Sequence, residues 1–157
     1  MGYNSSINTG AIKSDLSPEE INDKYSQLAA AISKHEYTAI QKILGERAYN
    51  RPKMDIYWGY DEHTFVGEKM EDGSYEIWMG EDDDCNYGKH YYHDVTAAFV
   101  ASICTEKTHI EYIGEDGDRW GYVIYPGKAI VAKYLMTETD IVHNTNSRVP
   151  HEATDEE

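Results

Sequence analysis

The chain is 157 residues long, one domain's length, and its 40% hydrophobic and 12% aromatic residues suffice for a single packed core. Its 29 acidic residues against 14 basic ones leave a formal charge of −15, which excludes a general binder of nucleic-acid backbones, since such binders neutralise phosphates with Lys and Arg. The longest wholly apolar runs, such as Ala97 to Ala101, are far too short to span a bilayer.

The first residues, Met1-Gly2-Tyr3-Asn4-Ser5-Ser6, lack the charged start and apolar middle of a signal peptide. They fit a myristoylation pattern, but the bulky Tyr3 and the strand-like alternation that follows argue against that use. The expectation is a cytoplasmic protein with Cys85 and Cys104 as free thiols.

Tyr3 to Ile12 alternate weakly and predict an edge strand. Ser17-Pro18-Glu19-Glu20 then combine a Ser cap, Pro at the first helical position, acids in the first turn and Glu three residues after the cap. Ile21, Tyr25, Leu28 and Ile32 follow at helical spacing, which predicts a helix to about Lys34. A second helical stretch passes through Tyr37, Ile40 and Leu44, with Gly45 as its stop. Lys34, Lys42, Arg47, Arg51 and Lys53 gather much of the scarce positive charge here.

Beyond Pro52 the period shortens. Met54 to Trp58, Thr64 to Lys69 and Tyr75 to Met79 read as strands, the last two joined by a turn at Asp72-Gly73. A loop from Gly80 to Gly88 precedes a helix over Tyr91 to Thr105, with Tyr92, Val95, Phe99 and Ile103 on one face. His109 to Ile113, Trp120 to Tyr125 and Ala129 to Leu135 read as three more strands, and their short connections make them antiparallel. The fold class is therefore α+β: an antiparallel sheet of about five to six strands, in two hairpin or meander units, backed by two or three helices. Residues 1–136 form the single domain. The stretch 137–157, which loses its aromatics and ends in Asp155-Glu156-Glu157, reads as a flexible acidic tail.

Ile77 to Asp82 and Glu111 to Asp116 both run from a strand into Gly-Glu-Asp, which predicts two acidic strand exits at the same end of one sheet. Between Asp61 and Asp118 the acids outnumber Lys69, Lys89 and Lys107 by a wide margin. Repulsion within such a surface costs folding energy, tolerated for solubility, for a cation or for a basic partner. Asp82-x-Asp84-x-Asn86 begins like a calcium loop, but Tyr87 stands where Gly is needed and His93 where Glu is needed. His90 and His93, near Cys85 and Asp94, fall short of a zinc-ligand pattern. Cys104 reads as a small core residue, and Asp84 disfavours a thiolate at Cys85. No catalytic motif, metal site or cofactor site is expected.

A basic protein partner is the third reading of this surface, beside a solvated face and a non-standard cation loop. DNA carries about one negative charge per ~1.7 Å of axis, and carboxylates on loops and strand ends approximate that array. The residues expected to bind are Glu81, Asp82, Asp83, Asp84, Glu115, Asp116 and Asp118, with Tyr87 and Trp120 as aromatic anchors.

The Met1-Gly2-Tyr3 start, Gly10, and the late run Gly114-Glu115-Asp116-Gly117-Asp118-Arg119-Trp120 with Gly127-Lys128-Ala129 carry a resemblance. The chain resembles a loose group of small proteins from bacteria and their phages, which share this start, a central helix and a late Gly-Glu-Asp…Asp-x-Trp hairpin. The group has no activity to carry over. The resemblance implies a phage or mobile-element origin, where small acidic proteins block host restriction and CRISPR effectors. The expected function is thus a non-enzymatic, DNA-mimic-like inhibitor of a basic nucleic-acid-binding host defence protein, making no contact with nucleic acid or membrane itself. Sequestration of a small-molecule or nucleotide signal is the alternative, followed by a metal-dependent hydrolase. An oligomeric virion component also remains open.

Overall fold

The computed structural model describes residues 5–9, 11–45, 59–79, 92–117, 119–126 and 130–135. These form an α+β fold of antiparallel sheets and helices, as the sequence predicts. The chain runs β1 (Ser5–Thr9), β2 (Ile12–Ser14), α1 (Pro18–Ser33), α2 (Tyr37–Leu44), β3 (Phe65–Lys69), β4 (Tyr75–Met79), α3 (His93–Ile103), β5 (Thr108–Gly114), β6 (Arg119–Tyr125) and β7 (Ile130–Leu135). The strands divide between two sheets: a large one of order β1-β5-β6-β7 and a small one of order β2-β4-β3. The predicted strand over Met54 to Trp58, the loop from Gly80 to Gly88 and the tail 137–157 lie outside the described residues. Among the described residues, no helix is long and apolar enough to cross a membrane.

The division begins in the first residues. The stretch that reads as one edge strand is two strands in different sheets. Ser5 to Thr9 pair with Gly114 to Ile110 of β5, while Ile12 to Ser14 pair with Ile77 to Tyr75 of β4. The two Gly-Glu-Asp exits therefore do not share a sheet: β4 belongs to the small one and β5 to the large one. Local alternation specifies a strand but not its neighbour, so the sequence pattern alone does not reveal the split.

Three hydroxyl-bearing residues tie the sheets together. Ser14 Oγ, fully buried, donates to the Ile103 carbonyl at the end of α3 (2.7 Å) and accepts from Leu16 N–H (3.1 Å). Thr105 N–H donates to the Lys13 carbonyl (2.7 Å), and Thr108 Oγ1 to the Ala11 carbonyl (2.9 Å). The segment leading from α3 into the large sheet is thus bonded along the edge of the small one. On the small sheet's far side, the Asn22 amide bonds both backbone groups of Phe65 (2.8 and 2.9 Å), attaching α1 to the start of β3.

Helix α1 starts as predicted: Ser17 Oγ accepts from Glu20 N–H (3.1 Å) and Glu20 Oε1 accepts from Ser17 N–H (2.9 Å). Its end is not visible as a glycine. His35 takes a left-handed φ of 56°, so that His35 N–H reaches the Ile32 carbonyl and Glu36 N–H the Ala31 carbonyl. This closes the helix in the way a glycine usually does. Ile21, Tyr25, Leu28, Ala31 and Ile32 of α1, Ile40 and Leu44 of α2, and the apolar face of α3 bury together with Ile12, Phe65, Ile77, Ile110, Tyr112, Tyr122 and Ile124 of the two sheets. At Gly67 a Cβ would lie 2.3 Å from the Glu76 carbonyl, so β3 can approach β4 there only without a side chain.

The two helix-end devices should act in opposite directions. Ser17→Ala removes a capping oxygen and should lower stability by about 1 kcal/mol in urea denaturation. His35→Gly relieves the left-handed backbone and should raise stability by about 0.5–1 kcal/mol in the same assay.

Candidate functional site

Of the residues expected to meet a partner, Glu81, Asp82, Asp83, Asp84, Tyr87 and Asp118 lie outside the described residues. Glu115 and Asp116 are exposed in the turn between β5 and β6. That turn closes with Gly117 N–H on the Gly114 carbonyl (2.9 Å), Gly117 taking φ 92°. Trp120 is half-buried beside it. Its ring stacks on Tyr112, its directly opposed neighbour in β5, with centroids 5.6 Å apart and an interplanar angle of 7°. The His93 ring at the start of α3 lies 4.3 Å from Tyr112 and 5.6 Å from Trp120. Trp120 thus spends much of its surface joining β6 to β5 and α3. Glu111 is also withdrawn from solvent: it is 7% exposed and lies 3.7 Å from the Arg119 guanidinium.

The small sheet displays a second acidic surface that the expected residues do not include. In β4, Ile77 and Met79 are buried, whereas Trp78 is 39% exposed. Strand alternation puts Glu76 on the Trp78 side. Across the β3–β4 pair, Val66 opposes Trp78 and Glu68 opposes Glu76. The signal was present in the sequence: the Asp72-Gly73 turn fixes the hairpin, and the period of two then places Glu76 and Trp78 on one face. The turn itself is built on Asp72, whose Oδ1 accepts from Ser74 N–H (2.9 Å) and Ser74 Oγ (2.6 Å). These bonds, with Lys13 at 3.0 Å, hold the Asp72 carboxyl well below the usual carboxylate range.

A buried polar cluster sits beneath α3. Tyr25 is packed edge-on against Phe99 (4.8 Å) and Phe65 (5.6 Å), and its hydroxyl donates to the Asp61 carbonyl. The Asp61 carboxylate accepts from Tyr92 N–H (3.0 Å), which places an acid at the positive end of α3. Thr96 Oγ1 lies 3.4 Å from His63 Nε2. These groups have the types of a nucleophile, a base and a carboxylate. Thr96, however, is completely buried, and the Asp61 carboxylate is engaged at the helix start, so the cluster anchors residues 59–64 to α1 and α3. Burial, and secondarily the Asp61 charge, push the Tyr25 phenol well above its ordinary value of 10.0.

Cys104 is a buried free thiol, pushed up to about 11 by that burial, consistent with a core residue rather than a nucleophile. Among the described residues no group of three or more His, Cys, Asp or Glu converges as a metal site would require. An open groove of about 710 Å³ runs between α1 and α2 over Leu16, Ala30, Ala39 and Ile43. Glu20, Asp23 and Glu36 line it together with Lys24 and Lys42, so acids outnumber bases there too. Lys24, half-buried, donates to the Ser102 carbonyl (3.4 Å), and burial lowers its pKa.

Comparison with protein-family models, with curated proteins and with solved structures returned no match.

The Tyr25 hydroxyl should be visible in a pH series. Tyr25→Phe should cost about 1–2 kcal/mol at neutral pH through the lost hydrogen bond. The phenol ionises more readily in the unfolded chain than in the folded one. Its stabilisation is therefore complete below pH 10.0 and declines as the pH rises further. The difference between wild type and Tyr25→Phe in chemical denaturation should shrink above that pH.

Proposed function

We propose that the protein is a non-enzymatic binding protein whose acidic surface engages a basic protein partner. One observation carries this reading. Between Gly59 and Gly117 the described exposed acids include Glu62, Glu68, Glu71, Glu106, Glu115 and Asp116, against the exposed bases Lys69 and Lys107. Like charges gathered at this density oppose folding, and a complementary partner removes the repulsion on binding.

The more particular form of the proposal is a phage-type, DNA-mimic-like inhibitor of a nucleic-acid-binding host defence protein. Its support is the net charge and the resemblance of the first residues and the late hairpin to small bacterial and phage proteins. The proposed contact residues are Glu81 to Asp84, Tyr87, Glu115, Asp116, Asp118 and Trp120. Trp120, already stacked on Tyr112, would offer a partner only the part of its ring left outside that stack. A small-molecule reading has the α1–α2 groove in its favour, and a ligand-dependent rise in melting temperature would reveal it.

Affinity capture from host lysate at low salt, followed by elution at high salt and mass spectrometry, tests the partner class. A basic nucleic-acid-binding protein that leaves as salt rises is the expected result. Replacing Asp82, Asp83 and Asp84 together by lysine should abolish that capture while thermal melting stays cooperative. Capture unchanged in the triple variant places the contact elsewhere.

A further inference from the structure

We propose that the outer face of the small sheet docks an arginine-bearing segment of the partner, its guanidinium lying on Trp78 between Glu68 and Glu76. This rests on the basic-partner reading above and names a surface and a side chain for it. Three features of the face lead there.

The first is the like-charged pair. Glu68 and Glu76 stand directly opposite each other on β3 and β4. Opposed side chains in an antiparallel pair lie only about 4.5–5.5 Å apart at Cβ, and like charges in that position destabilise the sheet. Lys13 lies opposite Glu76 on the other side, in β2. Its ammonium goes instead to Asp72 at 3.0 Å and Glu106 at 3.6 Å. Among the described residues, neither Glu68 nor Glu76 has an ion-pair or hydrogen-bond partner.

The second is the indole. Trp78 is next to Glu76 on the same face of β4 and diagonal to Glu68, so all three side chains leave the sheet from one face. With Val66 opposite, it forms an apolar spot on an otherwise charged face. Trp120 is stacked within the fold, whereas Trp78 is left 39% exposed.

The third is the match of chemistry. A cation over an indole is attracted by the ring's electron-rich face. A guanidinium is flat, so it stacks on the ring while its edge N–H groups reach carboxylates on either side. A lysine ammonium meets the charges but not the plane. A second copy of this chain is a poor occupant, because at −15 it would bring acid to acid.

The test uses the full-length protein with nitrogen-15 labelling and two probes, octa-arginine and octa-lysine, at low salt. The Trp78 indole signal is assigned with Trp78→Phe. The expected result is a shift of that indole signal and of the Glu68 and Glu76 amides with octa-arginine. Octa-arginine should bind about three- to tenfold more tightly than octa-lysine, and Trp78→Ala should erase that preference. Glu68→Gln with Glu76→Gln should weaken both probes. Thermal melting checks that each variant is folded.

Equal binding of octa-arginine to wild type and Trp78→Ala, with the Trp78 signal unmoved, overturns this docking face and leaves the basic-partner reading standing. Binding of neither probe at low salt overturns both. Self-association in sedimentation that disappears in Trp78→Ala, with no probe-induced shift, assigns the face to a second copy and overturns the proposal.

Discussion

A single buried hydroxyl, Ser14 Oγ, stands where the main parts of the fold meet. It donates to the last carbonyl of α3 and accepts from the backbone just before α1. β2, the exit of α3 and the entry to α1 are thereby fixed to one atom of a fully buried residue. Thr105 and Thr108 extend the seam by feeding the Lys13 and Ala11 carbonyls. With α3 held there, its other face packs on the large sheet, and its N-terminal end meets Asp61 and, through His93, the Tyr112–Trp120 stack.

The same framework sorts the aromatic residues into two groups. Tyr25, Phe65, Phe99, Tyr112, Tyr122 and Trp120 fill the interior or its rim, and their rings meet at the angles that packed aromatics favour. Trp78 lies outside that group, on a face whose other members are mostly charged. Acidic side chains follow a parallel division. Asp61, Asp72 and Glu111 each complete a helix start, a turn or an ion pair within the fold. Glu62, Glu68, Glu71 and Glu76 have no such task, which is why the surface around β3 and β4 attracts a functional reading.

Much of the local structure was legible in the sequence because local signals determine it. The Ser17-Pro18-Glu19-Glu20 start gave α1 its cap as expected, Gly45 ended α2, and Asp72-Gly73 set the β3–β4 turn. The unpredicted features depend on partners distant in the chain or on uncommon local solutions. The predicted first strand divides between Thr9 and Ile12 because β5 and β4 offer different edges, and no pattern within Tyr3 to Ile12 encodes that choice. The end of α1 near Lys34 was expected, but not its closure by His35 in a role usually given to glycine. Gly67 is required by the Glu76 backbone across the sheet, a contact visible only once the register is known. For the site, composition identified the acidic character of the surface. It singled out the runs of consecutive acids over the pair formed by alternation, because adjacency in sequence is easier to see than adjacency across a hairpin.

The division of the first residues also has a consequence for how the chain is made. β1 lies against β5, so its hydrogen-bonding edge has no native neighbour until the ribosome has delivered Gly114. β2 is satisfied sooner, by β4, but its Lys13 carbonyl and that of Ala11 just before it wait for Thr105 and Thr108. Contacts so remote in sequence close large loops before they return any stability, and such topologies fold slowly. During synthesis the N-terminal strand is therefore an unpaired edge, and α1, with its self-contained cap, is the first element able to form beside it. A nascent chain of this kind has reason to stay highly charged: mutual repulsion keeps neighbouring copies apart while their open edges await their own C-terminal halves.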